Sequence, residues 1–277
     1  MKNVVLLLAT VATFALLPSC QKNYSGEIGT IKLDSDAELF ITNAKINDAA
    51  QQAAINNFVI QLKKDSLWNK FGAIYPMIGG TTFSTKWNLK DPRDLDAAYR
   101  ITWNGSPDFK TTGVTCLTVK DWGDTHFNDQ SLMYDNSSLS FYSGTQNQIA
   151  GYDMGCSNQI VPFNMLAIYE DMSADIVNTW FDAYDIVSHQ PAITVGLFAN
   201  SSYGGKVVRY DNGIKAVEVG VPQDQHTGKN ITIGQVTDDG RLGLKECRLA
   251  AIGEGLSDET ALKFYSAVKN FEASLSR

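Results

Sequence analysis

The chain has few of the signatures that announce chemistry. It contains no C-x-x-C, no H-x-H or H-x-x-x-H, and no G-x-S-x-G, and its three histidines, His126, His189 and His226, stand far apart. Paired spacing of this kind is what zinc sites and hydrolase nucleophile elbows need, so neither is indicated. An E-x-D-x-x-E strand, expected of a sandwich glycosidase, is also missing. The nearest approach is Glu170, Asp171 and Asp175. A retaining mechanism needs two carboxyl groups about 5–5.5 Å apart, and neighbours on a strand point to opposite faces. The segment therefore reads as a solvated loop. Positive charge is scarce: 23 Lys and Arg stand against 30 Asp and Glu, for a net charge of -7, which leaves no footprint for nucleic acid. There is no linker rich in proline or glycine, no charge block and no internal repeat, so one domain is expected.

No run is long enough to cross a bilayer comfortably. The uncharged run at residues 4–17 suits instead the apolar region of a secretory signal, with Lys2 as its basic flank. Leu17-Pro18-Ser19-Cys20 follows and resembles the bacterial lipobox, which implies cleavage before Cys20 and lipidation of its thiol. The expected organisation is a lipoprotein signal peptide at 1–19, a tether and lead-in at 20–45, and a domain at 46–277. The expected address is the cell envelope, lipid-anchored to the outer membrane. With Cys20 acylated, Cys116, Cys156 and Cys247 remain. Three thiols cannot all pair with one another; export permits one disulfide, but three buried thiols is the simpler reading.

What is present is β-sheet signal. Short apolar runs recur, broken by Gly, Asn, Asp and Ser, with strands read at 71–78, 81–87, 98–103, 114–119, 139–142, 149–154, 165–170, 176–186 and 192–199. Asn212-Gly213 predicts a two-residue hairpin, with Val208 opposite Val217. Residues 230–234 and 242–252 read as further strands, the latter with Leu244 and Leu249 inward. Two helices are predicted. One, over 48–64, carries Ile55, Phe58, Val59 and Leu62 on one face and Gln51, Gln52 and Asn56 on the other. The second is capped by Ser257 and carries Ala261, Tyr265, Val268, Phe271 and Leu275 as its stripe.

Tyr210-Asp211-Asn212-Gly213-Ile214, then Ile231-Thr232-Ile233-Gly234, then the stretch from Leu249 through Gly255-Leu256-Ser257-Asp258-Glu259 resemble the close of a concanavalin A-like, laminin-G-like jelly roll. Ile74-Tyr75-Pro76 and the run from Asn88 to Arg100 extend the similarity to phage tail and virion proteins and to bacterial surface proteins. The resemblance implies an all-β, two-sheet concanavalin A-like jelly-roll sandwich with an N-terminal and a C-terminal helix packed on it. It further implies a domain that binds glycans or builds surfaces and is seldom catalytic.

Sugar recognition stacks an aromatic ring on an apolar sugar face and sets amides and carboxylates around it. Trp103 with Asn104, Trp122 with Asp121 and Asp124, and Tyr203 beside Asn200 supply those types at expected loop ends. Trp122 lies in a polar run and is the tryptophan expected to be exposed; Trp87, Trp103 and Trp180 read more simply as core or sheet aromatics. Asp121, Asp124, Asn128 and Asp129 resemble a calcium-binding loop in composition but lack its register. Three readings stay open. The first is a non-catalytic, membrane-anchored domain binding polysaccharide or another surface protein, or serving structure. The others are a glycan hydrolase on the same fold and a phage-type assembly module.

Overall fold

The computed structural model describes residues 33–133, 135–145, 151–158, 164–170, 177–181, 184–188, 195–220, 226–236 and 241–277. Residues 1–19, expected to be a signal peptide, and Cys20, Asp171, Asp175 and His189 fall outside them. Two helices come first, α1 (Ser35–Asn43) and α2 (Ala49–Lys64). Fifteen strands follow among the described residues: β1 (Phe71–Tyr75), β2 (Thr102–Asn104), β3 (Asp108–Lys110), β4 (Gly113–Thr115), β5 (Trp122–Asn128), β6 (Asn136–Ser143), β7 (Gly151–Asn158), β8 (Asn164–Glu170), β9 (Val177–Phe181), β10 (Tyr184–Ser188), β11 (Gly196–Tyr203), β12 (Val207–Asp211), β13 (Ile214–Val219), β14 (Asn230–Ile233) and β15 (Glu246–Gly253). Helix α3 (Asp258–Ser274) closes the described chain.

The strands form two main antiparallel sheets. The larger runs β13-β12-β11-β6-β15-β4-β3, with β1 also on β15; the smaller runs β2-β5-β14-β7-β8, and β9 pairs with β10 as a separate hairpin. Alternation along the larger sheet sorts its side chains. Phe198, Phe141, Ala250 and Ile252 meet Phe127, Ile231, Ile233 and Met154 of the smaller sheet in one core. Leu197, Leu249, Ala251 and Val208 point the other way and meet the helices in a second. The result is a two-sheet β-sandwich with a helical third layer.

The helices form where capping and periodicity coincide. Asp48 caps α2 through Gln51 N, and Ser257 and Thr260 make a reciprocal capping box on α3. Phe58 stacks on Phe271 at 4.8 Å and Phe71 meets Phe264 at 4.5 Å, which ties α2 and β1 to α3. Each buried ring is worth about 1.5–3 kcal/mol. The α3 stripe includes Phe264 and Ala267, while Tyr265 and Leu275 are only partly buried against it. Asn56, read on the polar face of α2, is buried and accepts from Asp34 N at 2.7 Å. That bond comes from α1, whose Ala37, Phe40 and Ile41 are buried, so the packed unit reaches back to Leu33, ahead of residue 46.

Several expected strands differ. Residues 81–87 instead hold a 3-10 turn, Ser84–Lys86, because Thr81 and Ser84 hydrogen-bond each other's backbone and side chain. The polar run containing Trp122 is a strand, not a loop. Residues 176–186 divide between β9 and β10, and Leu244 adopts φ 52° outside β15. The Asn212-Gly213 hairpin forms with φ of 52° and 76°, and Cβ on Gly213 would lie 2.7 Å from Tyr265 Cβ. A bulge at Arg209/Tyr210 shifts the ladder, so Val208 faces Glu218 and Arg209 faces Val217.

Two polar side chains complete sheet edges. Asn88 accepts from Ile74 N and Lys90 N (both 3.0 Å) and donates to Gly72 O and Ala98 O (both 3.1 Å), covering the free edge of β1. β1 and β4 lie end to end along β15, pairing with residues 250–253 and 246–247. The Arg277 guanidinium occupies the interval, donating to Pro76 O, Thr112 O and Arg248 O at 3.1, 2.9 and 3.1 Å. It also grips Glu272 through Nε and Nη2, both at 3.0 Å, with each side chain 2% exposed.

Candidate functional site

Strand β5 alternates strictly in burial. Gly123, Thr125 and Phe127 point into the sandwich, while Trp122, Asp124, His126 and Asn128 point outward and are half-buried. β2 lies alongside with Asn104 opposite Trp122, Trp103 opposite Gly123 and Thr102 opposite Asp124. Thr102 and Asn104 therefore share the outer face with Trp122 and Asp124. On the other side β14 sets Thr232 opposite Asp124 and Asn230 opposite Asn128.

These groups are hydrogen-bonded to one another. Asn230 Nδ2 donates to both Asp124 oxygens at 3.1 and 3.3 Å, and His126 N donates to Asp124 Oδ1 at 2.8 Å. His126 Nε2 lies 2.7 Å from Thr102 Oγ1 and 3.4 Å from Asp96 Oδ1. His126 Nδ1 is 3.9 Å from Asp124 Oδ2, too far for a hydrogen bond. The His126 backbone sits at φ 55°, a conformation that costs on the order of 1 kcal/mol for a non-glycine residue. Its amide bond to Asp124 and its imidazole bond to Thr102 hold it there. Asp96 in turn accepts from Arg100 Nε at 2.9 Å. The face thus presents one indole beside three amides, a hydroxyl, an imidazole and two carboxylates.

Two of the five expected ligand residues have other duties. Trp103 turns inward and meets Phe109 edge-on at 5.5 Å, as a core aromatic. Asp121 is buried and clamps its own loop, accepting from Ser106 N (2.7 Å), Thr118 N (2.9 Å) and Thr118 Oγ1 (3.0 Å). Burial acts to raise its pKa, but those donors prevail and hold the carboxyl below its ordinary value. Trp122, Asp124 and Asn104 do come together. The Trp122 indole is steadied by Gln235, whose amide satisfies both neighbours when its oxygen accepts from Trp122 Nε1 (3.2 Å) and its nitrogen donates to Val119 O (3.3 Å). His126, which reads from sequence as an exposed loop residue, lies half-buried in β5, and Thr102 and Asn230 carry no mark in the sequence; the i, i+2 spacing of Trp122, Asp124 and His126 is the one available signal.

The acidic run does not converge on a cation. Asp129 is fully buried and accepts from Gly228 N at 2.9 Å, from Thr227 N and from Cys156 Sγ at 3.7 Å, while Asn128 caps Gln130 N. Among the described residues no three His, Cys, Asp or Glu side chains are grouped to hold a metal. Cys116, Cys156 and Cys247 are free and buried, and burial pushes Cys116 up to about 12 and the other two well above the ordinary thiol value. No described helix is long and apolar enough to cross a membrane.

No protein-family model matches the chain, and no curated protein matches it in sequence. Its backbone is similar to solved structures at low identity. A sialidase of Trypanosoma rangeli in complex with the inhibitor DANA aligns at TM-score 0.48 and 7% identity, over 76% of this chain and 38% of the sialidase. The chain thus spans well under half of that enzyme. Domain 4 of the arabinanase AbnA of Geobacillus stearothermophilus, in complex with arabinotriose, aligns at TM-score 0.39 and 11% identity, over 70% of this chain and 98% of that one. The carbohydrate esterase vb_24B_21 of bacteriophage phi24B aligns at TM-score 0.40 and 11% identity, over 68% and 99%.

Proposed function

We propose that this is a lipid-anchored bacterial envelope protein whose sandwich, of the concanavalin A-like and laminin-G-like kind, binds polysaccharide without cleaving it. The observation that carries the binding reading is the outer face of β2, β5 and β14. There Trp122 stands beside Asn104, with Asp124, Asn230 and His126 hydrogen-bonded along the same row. An indole face takes the C–H side of a sugar ring, and fixed amides and carboxylates take its hydroxyls. Asp124 is held in place as a hydrogen-bond acceptor, receiving bonds from Asn230 and from the His126 amide. Anchoring is supported by Lys2, the apolar run at 4–17 and Cys20.

Two experiments test the reading. Bacterial polysaccharides immobilised as a panel should include one that the protein retains saturably, with Trp122→Ala weakening retention about tenfold, the loss of roughly 1.4 kcal/mol. Retention that Trp122→Ala leaves unchanged refutes the face, and release of new reducing ends would replace binding by hydrolysis. Metabolic labelling with an alkynyl fatty acid should mark the protein and be lost in Cys20→Ser; an unmarked wild type refutes the anchor.

A further inference from the structure

A second site lies apart from the Trp122 face. Strand β11 ends at Tyr203, and the turn to β12 passes through Gly204 and Gly205, at φ 63° and 79°. Tyr203 N donates to Lys206 O at 2.9 Å, and both oxygens of Asp135 accept from Gly205 N, at 2.9 and 2.8 Å. The turn rests on Gly255, where a Cβ would lie 2.2 Å from Ser202 O and 2.8 Å from Tyr203 Cβ. Gly255 N is itself held by Asn136 Oδ1 at 3.0 Å. Yet Tyr203 is 45% exposed. A large aromatic side chain is thus kept in water by a tightly fastened backbone.

Beside it opens a cleft of about 440 Å³, within the range of ligand pockets, roughly 300–1,000 Å³. Its floor includes Tyr210, whose hydroxyl donates to Asp258 Oδ1 at 2.9 Å. Its rim is a chain of alternating charge: Lys206 to Glu218 at 2.7 Å, Glu218 to Lys215 at 3.0 Å, and Lys215 to Asp258 at 3.4 Å. Glu259, also in the lining, pairs with Lys263 just outside it, so each charge already faces its opposite and none stands unpaired to receive an ion. Each ammonium and carboxylate still has donor or acceptor capacity to spare, and solvent-exposed pairs of this kind cost little to rearrange. A ligand carrying many hydroxyls, no net charge and an apolar ring face meets all three features.

We propose that this cleft is a second carbohydrate site, taking the end of a neutral oligosaccharide with a sugar ring against Tyr203. It takes its ligand class from its own lining and stands whether or not the Trp122 face binds. The test is amide NMR titration of the protein with neutral tetrasaccharides: α-1,4-glucan, β-1,4-glucan, β-1,4-xylan and β-1,4-mannan. At least one should shift Gly204, Gly205 and Lys215 together. Tyr203→Ala should weaken that binding at least about tenfold, while Tyr203→Phe retains it and Trp122→Ala leaves it unchanged. The spectra of the free variants show that they fold. No shift at those residues with any tetrasaccharide overturns the proposal, as does binding that survives Tyr203→Ala or is lost only with Trp122→Ala.

Discussion

Removing the Arg277 side chain should be among the most costly single changes in the protein. Its guanidinium makes two bonds to Glu272 and reaches Pro76 O, Thr112 O and Arg248 O between β1 and β4. Both partners are 2% exposed. Arg277→Ala therefore leaves a buried carboxyl without its cation and several carbonyls without a donor. Breaking a buried pair from one side costs about 3–5 kcal/mol, or roughly 6–20 °C in Tm for a domain of this size. The loss should depend on pH. Burial raises the Glu272 pKa above its ordinary value and Arg277 opposes that rise, so the variant carries a still higher folded pKa. A carboxyl with a raised folded pKa favours the native state below its unfolded pKa, here 4.5, and loses that contribution as pH rises through the folded value. The deficit of Arg277→Ala should thus grow as pH rises from the unfolded value of 4.5 toward the raised folded one, and Arg277→Ala/Glu272→Gln should recover part of it. Urea unfolding across that range is the assay. A loss under about 1 kcal/mol, the scale of an exposed pair, or one independent of pH, refutes the reasoning.

Three further outcomes are expected. Asn88→Ala removes four hydrogen bonds beside β1, two of them fully buried, and should cost about 3 kcal/mol of stability, read as a lower urea midpoint with the slope unchanged. Lys90 is lowered to about 8, chiefly by burial, with its ammonium 3.7 Å from the Trp68 ring centroid. From that value to 10.5 the unfolded chain binds the extra proton, so Lys90 makes stability rise with pH; unfolding curves of Lys90→Met should lack that rise. Cys116, Cys156 and Cys247 should resist iodoacetamide at mildly alkaline pH until the protein is denatured, with alkylation mapped cysteine by cysteine by mass spectrometry.

The two longer helices were legible because periodicity and a capping residue agree within each segment, at Asp48 with Phe58 and at Ser257 with Phe271. Asn212-Gly213 announced its hairpin for the same local reason. β5 did not, because its inward side is Gly123, Thr125 and Phe127, a weak apolar signal beneath a polar outward row. The bulge at Arg209/Tyr210 has no local mark either; it moves a register that the turn alone would set differently. For the candidate site, composition pointed at Trp122, Asp124 and Asn104, but only strand pairing brings Asn230 onto Asp124 and Thr102 onto His126. Trp103 and Trp122 look alike in sequence; one faces Phe109 and the other Gln235 because β2 and β5 present opposite faces at those positions. The Tyr203 cleft depends on a chain closure that joins a turn, a hairpin and a helix start.

The helical layer makes the described sandwich one-sided. An uncovered sandwich offers two broad outer surfaces; here α1, α2 and α3 roof the larger sheet over Leu197, Leu249 and Ala251. Exposed positions on that roof, such as Asn57 and Asn270, are remote in function from both proposed sites. A dye or a surface linkage placed there should report on recognition without taking part in it.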